Sequence, residues 1–118
     1  MKDGEQIEYY SSGNINFKCN YLGGKLEGEC IKYYESGEIS YKYSYLDGKR
    51  HGESIHYYKS GEILSKSFYL DGTLQCECIL YNLSGDISYK CNYIDGKVVS
   101  ELEWLCYVRN IKFGLLGL

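Results

Sequence analysis

Residues 28–51 read GECIKYYESGEISYKYSYLDGKRH, and this string decides the architecture. It holds two stretches rich in β-branched and aromatic residues, 31–34 and 39–45, each followed by a turn signal. The first turn is Glu35-Ser36-Gly37 and the second is Leu46-Asp47-Gly48. Each fits a three-residue hairpin loop, with two residues in a type I turn and then Gly in the left-handed region. Ser or Asp before the Gly bonds its own backbone and favours the turn.

The same string recurs on either side without insertion or deletion. GEQIEYYSSGNINFKCNYLGGKLE fills 4–27, GESIHYYKSGEILSKSFYLDGTLQ fills 52–75 and CECILYNLSGDISYKCNYIDGKVV fills 76–99. Self-similarity at a fixed period marks a repeat architecture. Several positions of the 24-residue unit barely vary, among them Ile7, Ile31, Ile55 and Ile79, and Lys18, Lys42, Lys66 and Lys90. The chain, 1–118, therefore reads as one domain of four repeats, 4–27, 28–51, 52–75 and 76–99, with a divergent C-terminal segment 100–118.

Loop length sets the pairing. Three-residue loops place Tyr34 opposite Glu38, Tyr33 opposite Ile39, Ile31 opposite Tyr41, Tyr45 opposite Lys49 and Ile39 opposite Ile55. One face then collects Ile31, Tyr33, Ile39, Tyr41, Tyr43 and Tyr45; the other collects Lys32, Tyr34, Glu38, Ser40, Lys42 and Ser44. The expected fold is all-β, a single-layer antiparallel β-meander of about eight or nine strands with an apolar C-terminal cap or tail. At a strand spacing of about 4.8 Å it is about 40 Å long, and its apolar face needs a cover.

Composition agrees. There are 15 Tyr, 14 Gly and no Pro or Ala, which favours sheet and glycine turns over helix. A net charge of -3 gives no basic footprint, so direct nucleic-acid binding is not expected. No apolar run reaches the length of a membrane span. Met1-Lys2-Asp3-Gly4-Glu5 leads into the first repeat without an apolar export region, and six cysteines then fit a reducing compartment. The expected location is cytoplasmic, in a bacterium or as a phage protein acting in the bacterial cytoplasm.

The repeat G-E-x-I-x-Y-Y-x-S-G-E-I-x-Y-K-x-x-Y-x-D-G-K resembles the variant MORN repeat (membrane occupation and recognition nexus) over about residues 4 to 99. It is similar to bacterial proteins of the YwqK-type antitoxin group, which are small arrays of this repeat. The resemblance implies scaffolds and binding surfaces. The expected function is a non-enzymatic protein-binding inhibitor, of the antitoxin or immunity kind or of the phage anti-defence and anti-CRISPR kind. Its partner would be a protein such as a nuclease or its nucleoprotein complex. The alternative is a structural scaffold or lipid-associated array.

Candidate contact residues follow from the expected faces. Tyr34 and Tyr58 fall on the polar face beside Glu38, Glu62, Lys42 and Lys66, and exposed Tyr flanked by charge suits an interface. The apolar tail adds Trp104 and Phe113, as a cap, a partner anchor, a homodimer interface or a membrane contact. His51, Glu53 and His56 read as exposed strand residues rather than an acid–base set, and no catalytic motif stands out. Cys76 and Cys78 are expected on the polar face and Cys91 on the apolar one, so no metal site or cofactor is expected.

Overall fold

Two turn types alternate along the chain, and they close hairpins in different ways. At the Ser-Gly turn the Tyr34 N–H donates to the Glu38 carbonyl at 2.7 Å and the Gly37 N–H to the Tyr34 carbonyl at 2.9 Å. This is the expected three-residue loop, with Gly37 at φ 106°. The closure recurs between Tyr10 and Asn14, Tyr58 and Glu62, and Asn82 and Asp86. A Cβ at Gly61 (φ +95°) would meet nothing within 4 Å, so Gly61→Val is resisted by backbone strain alone. It should cost about 1 kcal/mol or more, read as a lower denaturant midpoint; an unchanged midpoint would show that Gly61 does not hold this conformation.

The Asp-Gly turn is shorter than expected. Leu46 pairs with Lys49 and Tyr45 with Arg50. The loop is Asp47-Gly48 alone, with φ 53° and 83°. Positive φ at both positions is the type I′ geometry, which matches the twist of the flanking strands and which Asp and Gly both tolerate. The expected pairing of Tyr45 with Lys49 is thereby corrected by one residue.

The computed structural model describes residues 3–100, the side chain of Cys76 apart. The strands are β1 (Gly4–Tyr9), β2 (Ile15–Leu22), β3 (Lys25–Leu26), β4 (Gly28–Tyr33), β5 (Ile39–Leu46), β6 (Lys49–Arg50), β7 (Gly52–Tyr57), β8 (Ile63–Leu70), β9 (Thr73–Tyr81), β10 (Ile87–Ile94) and β11 (Lys97–Val99). They form one antiparallel sheet in the order β1-β2-β4-β5-β7-β8-β9-β10-β11, with β3 beside β2 and β6 beside β5. No helix occurs among the described residues. The count exceeds the expected eight or nine because the strands leaving the Gly23-Gly24 and Asp47-Gly48 turns break after two residues, giving β3/β4 and β6/β7. Between Arg50 and Ile55 this returning strand carries two more residues than β5 carries between Tyr45 and Lys42. Ile55 consequently faces Lys42, not Ile39.

A bulge in each repeat redistributes the faces. Tyr33 pairs with Ile39 as expected, but Lys32 pairs with Tyr41 and Ile31 with Lys42, leaving Ser40 without an opposite residue. Asn16, Leu64 and Ser88 are skipped in the same way. One extra residue reverses the alternation beyond it. The expected apolar face is therefore split. Tyr41, Tyr43 and Tyr45 share a face with Cys30 and Lys32, while Ile31 shares the opposite face with Lys42 and, beyond the bulge, Tyr33 with Ile39. The second face carries an alternating row across eight strands: Ile7, Lys18, Ile31, Lys42, Ile55, Lys66, Ile79, Lys90. The lysine stems lie along the isoleucines while the ammonium groups stay wet. Those of Lys66 and Lys90 reach Glu53 at 3.8 Å and Glu77 at 3.2 Å.

Small residues are the most deeply buried. Cys30 and Ser54 are each 1% exposed, and Cys19, Gln75, Asn92 and Cys91 follow. The cysteine expectation is corrected here: Cys78 lies directly opposite Cys91, on the same face. Burial, and then the Cys19 thiol bonded to it, pushes the Cys30 thiol up to about 12.

Consecutive repeats are tied along both rows of turns, at the two edges where the strands end. The hydroxyls of Tyr10, Tyr34 and Tyr58 donate to the carbonyls of Tyr33, Tyr57 and Tyr81 at 2.6, 2.7 and 2.7 Å. At the other edge the N–H groups of Gly48, Gly72 and Gly96 donate to the carbonyls of Leu26, Arg50 and Leu74. Beside them the Asp47, Asp71 and Asp95 N–H groups donate to Glu27 Oε2, His51 Nδ1 and Gln75 Oε1. Each turn thus rests on the turn one repeat earlier, as expected where energetics are shared between neighbouring repeats.

Candidate functional site

The residues expected to form one polar surface do not share a face. The Tyr10 ring lies 5.2 Å under the Lys32 ammonium, on the tyrosine face, and Tyr34 and Tyr58 repeat its hydrogen bond. Lys42 and Lys66 stand on the opposite face, in the isoleucine row. Glu38 and Glu62 sit at the exposed Ser-Gly turns. The Ser36 hydroxyl bonded to Glu38, and then its own N–H, hold that carboxyl below its usual value. Trp104 and Phe113, with any cap or dimer contact they make, lie outside the described residues.

The tyrosine face builds a different cluster. On β5 the rings of Tyr41 and Tyr43 stack with centroids 4.2 Å apart and planes 18° from parallel. β7 brings His56 opposite Tyr41, and its ring lies 5.5 Å from Tyr41 and 5.4 Å from Tyr43. The Tyr43 hydroxyl and His56 Nε2 share a hydrogen bond of 2.9 Å. β6 supplies Arg50, whose guanidinium carbon is 3.9 Å from the Tyr43 ring centroid and 4.0 Å from that of Tyr69. The guanidinium is thus in contact with two rings, one from β5 and one from β8. Arg50 Nη2 donates to Ser54 Oγ at 2.8 Å, while Nε is buried without an acceptor.

Electrostatics follow from this packing. Burial pushes the hydroxyls of Tyr41, Tyr43 and Tyr45 above the usual phenol value, while the Arg50 charge draws each part of the way back. Burial, and then the Arg50 charge, lowers the pKa of His56, so the ring is neutral at pH 7. A histidine whose folded pKa is depressed contributes stability above its unfolded value, and that stability is lost as pH falls through the folded value. Acidification below about pH 6.5 should therefore lower the melting temperature of the wild type more than that of His56→Gln. Parallel pH profiles for the two proteins would show that His56 does not titrate in contact with Arg50.

Neither histidine is the exposed strand residue expected from the sequence. His51 Nδ1 accepts from the Asp71 N–H at 3.1 Å, His56 is half-buried against the tyrosines, and Glu53 pairs with Lys66 on the other face. Arg50 is not among the candidate contact residues because it stands at a repeat position that varies. Its equivalents are Leu26, Leu74 and Val98, and those of His56 are Glu8, Lys32 and Leu80. Ser65 stands where the other repeats have Phe17, Tyr41 and Tyr89. These departures from the pattern are the signal that marks the site.

The cluster can hold a flat or charged group by stacking and hydrogen bonding. A family model described as the MORN repeat variant matches residues 2–22, 26–47 and 50–71. No curated protein matches the chain. Among solved structures, the accessory secretory protein 1, 2 and 3 structure from Streptococcus pneumoniae is similar at 18% identity, with a TM-score of 0.46. The match covers 81% of this chain and 18% of that one. No helix among the described residues is long and apolar enough to cross a membrane.

Proposed function

Because the chain belongs to the MORN repeat variants, a class that suggests protein binding or scaffolding, we propose that it is a non-enzymatic binding module that inhibits a protein partner in the bacterial cytoplasm. The proposed partner class is a toxin or defence nuclease, in the manner of YwqK-type antitoxins or phage anti-defence proteins. The observation that carries the reading is the tyrosine face. Tyr41, Tyr43, Tyr45 and Tyr69 are all half-exposed around Arg50 on one face of a single-layer sheet. Tyr and Arg are the residues enriched at interface hot spots, because each buries a large rigid surface while keeping a polar end. Ties along both edges hold this surface in place before a partner arrives, which lowers the ordering cost of binding.

The test is capture followed by titration. The tagged chain is purified from its bacterial host, the bound protein is identified, and that protein's activity is measured against increasing amounts of the chain. The expected outcome is a complex that survives gel filtration and an activity that falls to baseline at stoichiometric ratio. A captured protein that keeps full activity would make the chain a scaffold. Turnover of a substrate by the chain alone would remove the reading altogether.

A further inference from the structure

We propose that Arg50 is a receptor for one carboxylate, supplied by an Asp or Glu side chain of a protein partner that docks on the tyrosine face. The inference rests on the reading of the chain as a protein-binding module and names the chemistry of that binding.

The first support is an unused cation. A guanidinium removed from water ordinarily finds a carboxylate. Among the described residues no carboxylate pairs with Arg50, and its one hydrogen bond to them goes to the neutral Ser54 hydroxyl. Neighbouring carboxylates are engaged elsewhere or face away: Asp71 at the next turn pairs with Lys49, Glu53 pairs with Lys66 on the opposite face, and Glu29 stands beside Ile31 on the same strand, opposite Ser44. The fold does not demand a cation at this place either, because Leu26, Leu74 and Val98 fill the equivalent positions in the other repeats.

The second support is geometry. The rings of Tyr43 and Tyr69 both lie within 4.0 Å of the guanidinium carbon and crowd its π-surface, which leaves its N–H edge as the approach a ligand would use. Edge-on approach is how a carboxylate engages the forked donors of arginine. Nη1 makes no hydrogen bond among the described residues, and Ser54, 1% exposed, fixes the other terminal nitrogen. The rings also hold the long side chain in one orientation before any ligand arrives.

The third support is charge count. His56 is neutral at pH 7 and the surrounding hydroxyls are protonated, so the cluster carries a single positive charge. One charge balances a carboxylate. A phosphate carries close to two negative charges at that pH and calls for a second cation; Lys32, opposite Tyr41 on the same face, directs its ammonium instead to Asn16 Oδ1 and the Tyr10 ring.

The experiment uses the whole chain and three probes: the peptide acetyl-Gly-Glu-Gly-amide, its Gln counterpart and inorganic phosphate. The buried Nε–H of Arg50 is shielded from exchange with water and gives a reporter signal in proton–nitrogen spectra. The Glu peptide should shift that signal and the Tyr43 and Tyr69 ring signals saturably, with millimolar affinity that weakens as salt rises. The Gln peptide should leave them in place. R50Q should abolish the response while other amide signals stay put. R50K, which keeps the charge and loses the fork, should weaken it several-fold, and it serves as the second variant if R50Q disturbs the fold. Equal responses to the Glu and Gln peptides, no response, or a stronger response to phosphate would each overturn the proposal. Capture separates this from the broader reading: a partner bound equally by wild type and R50Q removes the carboxylate receptor and leaves protein binding standing.

Discussion

Replacing Tyr34 and Tyr58 together by alanine should remove about 4 kcal/mol of stability, a large share of what a domain of this size has. Each side chain is half-buried and donates its hydroxyl to a carbonyl of the following repeat, Tyr57 and Tyr81 respectively. Truncation removes ring contacts and leaves that carbonyl short of a partner. About 2 kcal/mol per site is appropriate for a half-buried aromatic, and sites a full repeat apart should add. The matched Tyr→Phe pair keeps the rings and loses only the bonds, at about 1 kcal/mol each. Urea unfolding of the two double variants separates packing from hydrogen bonding. If the alanine pair unfolds with the wild type, the ties between repeats carry no weight. Any loss of partner affinity in the alanine pair has to be read beside its folded fraction.

Ser54→Leu should cost about 3 kcal/mol and lower the melting temperature by about 10 °C or more. Ser54 is 1% exposed, faces Ser67 across β7 and β8, and accepts from Arg50 Nη2. Leucine at this place has no room and strands a guanidinium nitrogen, so overpacking and an unmet donor act together. Ser54→Cys is the control, because Cys30 and Cys78 hold the same repeat position, and it should melt close to wild type. A Ser54→Leu protein as stable as wild type would mean that the tyrosine face is loosely packed around Arg50.

What could be read in advance depended on whether a feature has a residue type of its own. The Ser-Gly loops were legible because a three-residue loop and its Gly at positive φ leave a direct mark, and Tyr34 does close onto Glu38. The second loop was misjudged because x-Asp-Gly is compatible with both loop lengths; the choice lies in Asp47 adopting a φ of 53°, which the letters do not announce. The bulge was invisible for a stronger reason. Its skipped residues are Asn16, Ser40, Leu64 and Ser88, of three types and none a glycine, so only the pairing reveals them. One hidden residue per repeat sent half of the expected apolar face to the other side and took Lys42 and Lys66 away from Tyr34 and Tyr58. The candidate site was not legible from the repeat, because the repeated positions encode the fold while Arg50 and His56 sit at variable ones.

The row of isoleucines and lysines bears on how such a layer stays dispersed. A bare sheet with one greasy side invites a second copy to stack on it, and stacked sheets are the beginning of a fibre. Within this row no two isoleucines occupy neighbouring strands, because each is flanked by Lys18, Lys42, Lys66 or Lys90. Pressing two such rows together would drive ammonium groups against hydrocarbon or against one another, and either contact is repulsive in a dry seam. Alternation across the strands thus does for the flat side what charged residues do for an exposed sheet edge. It divides the grease of this row into islands too small to adhere, and along the row the layer has no need of the lid that an unbroken apolar surface would require.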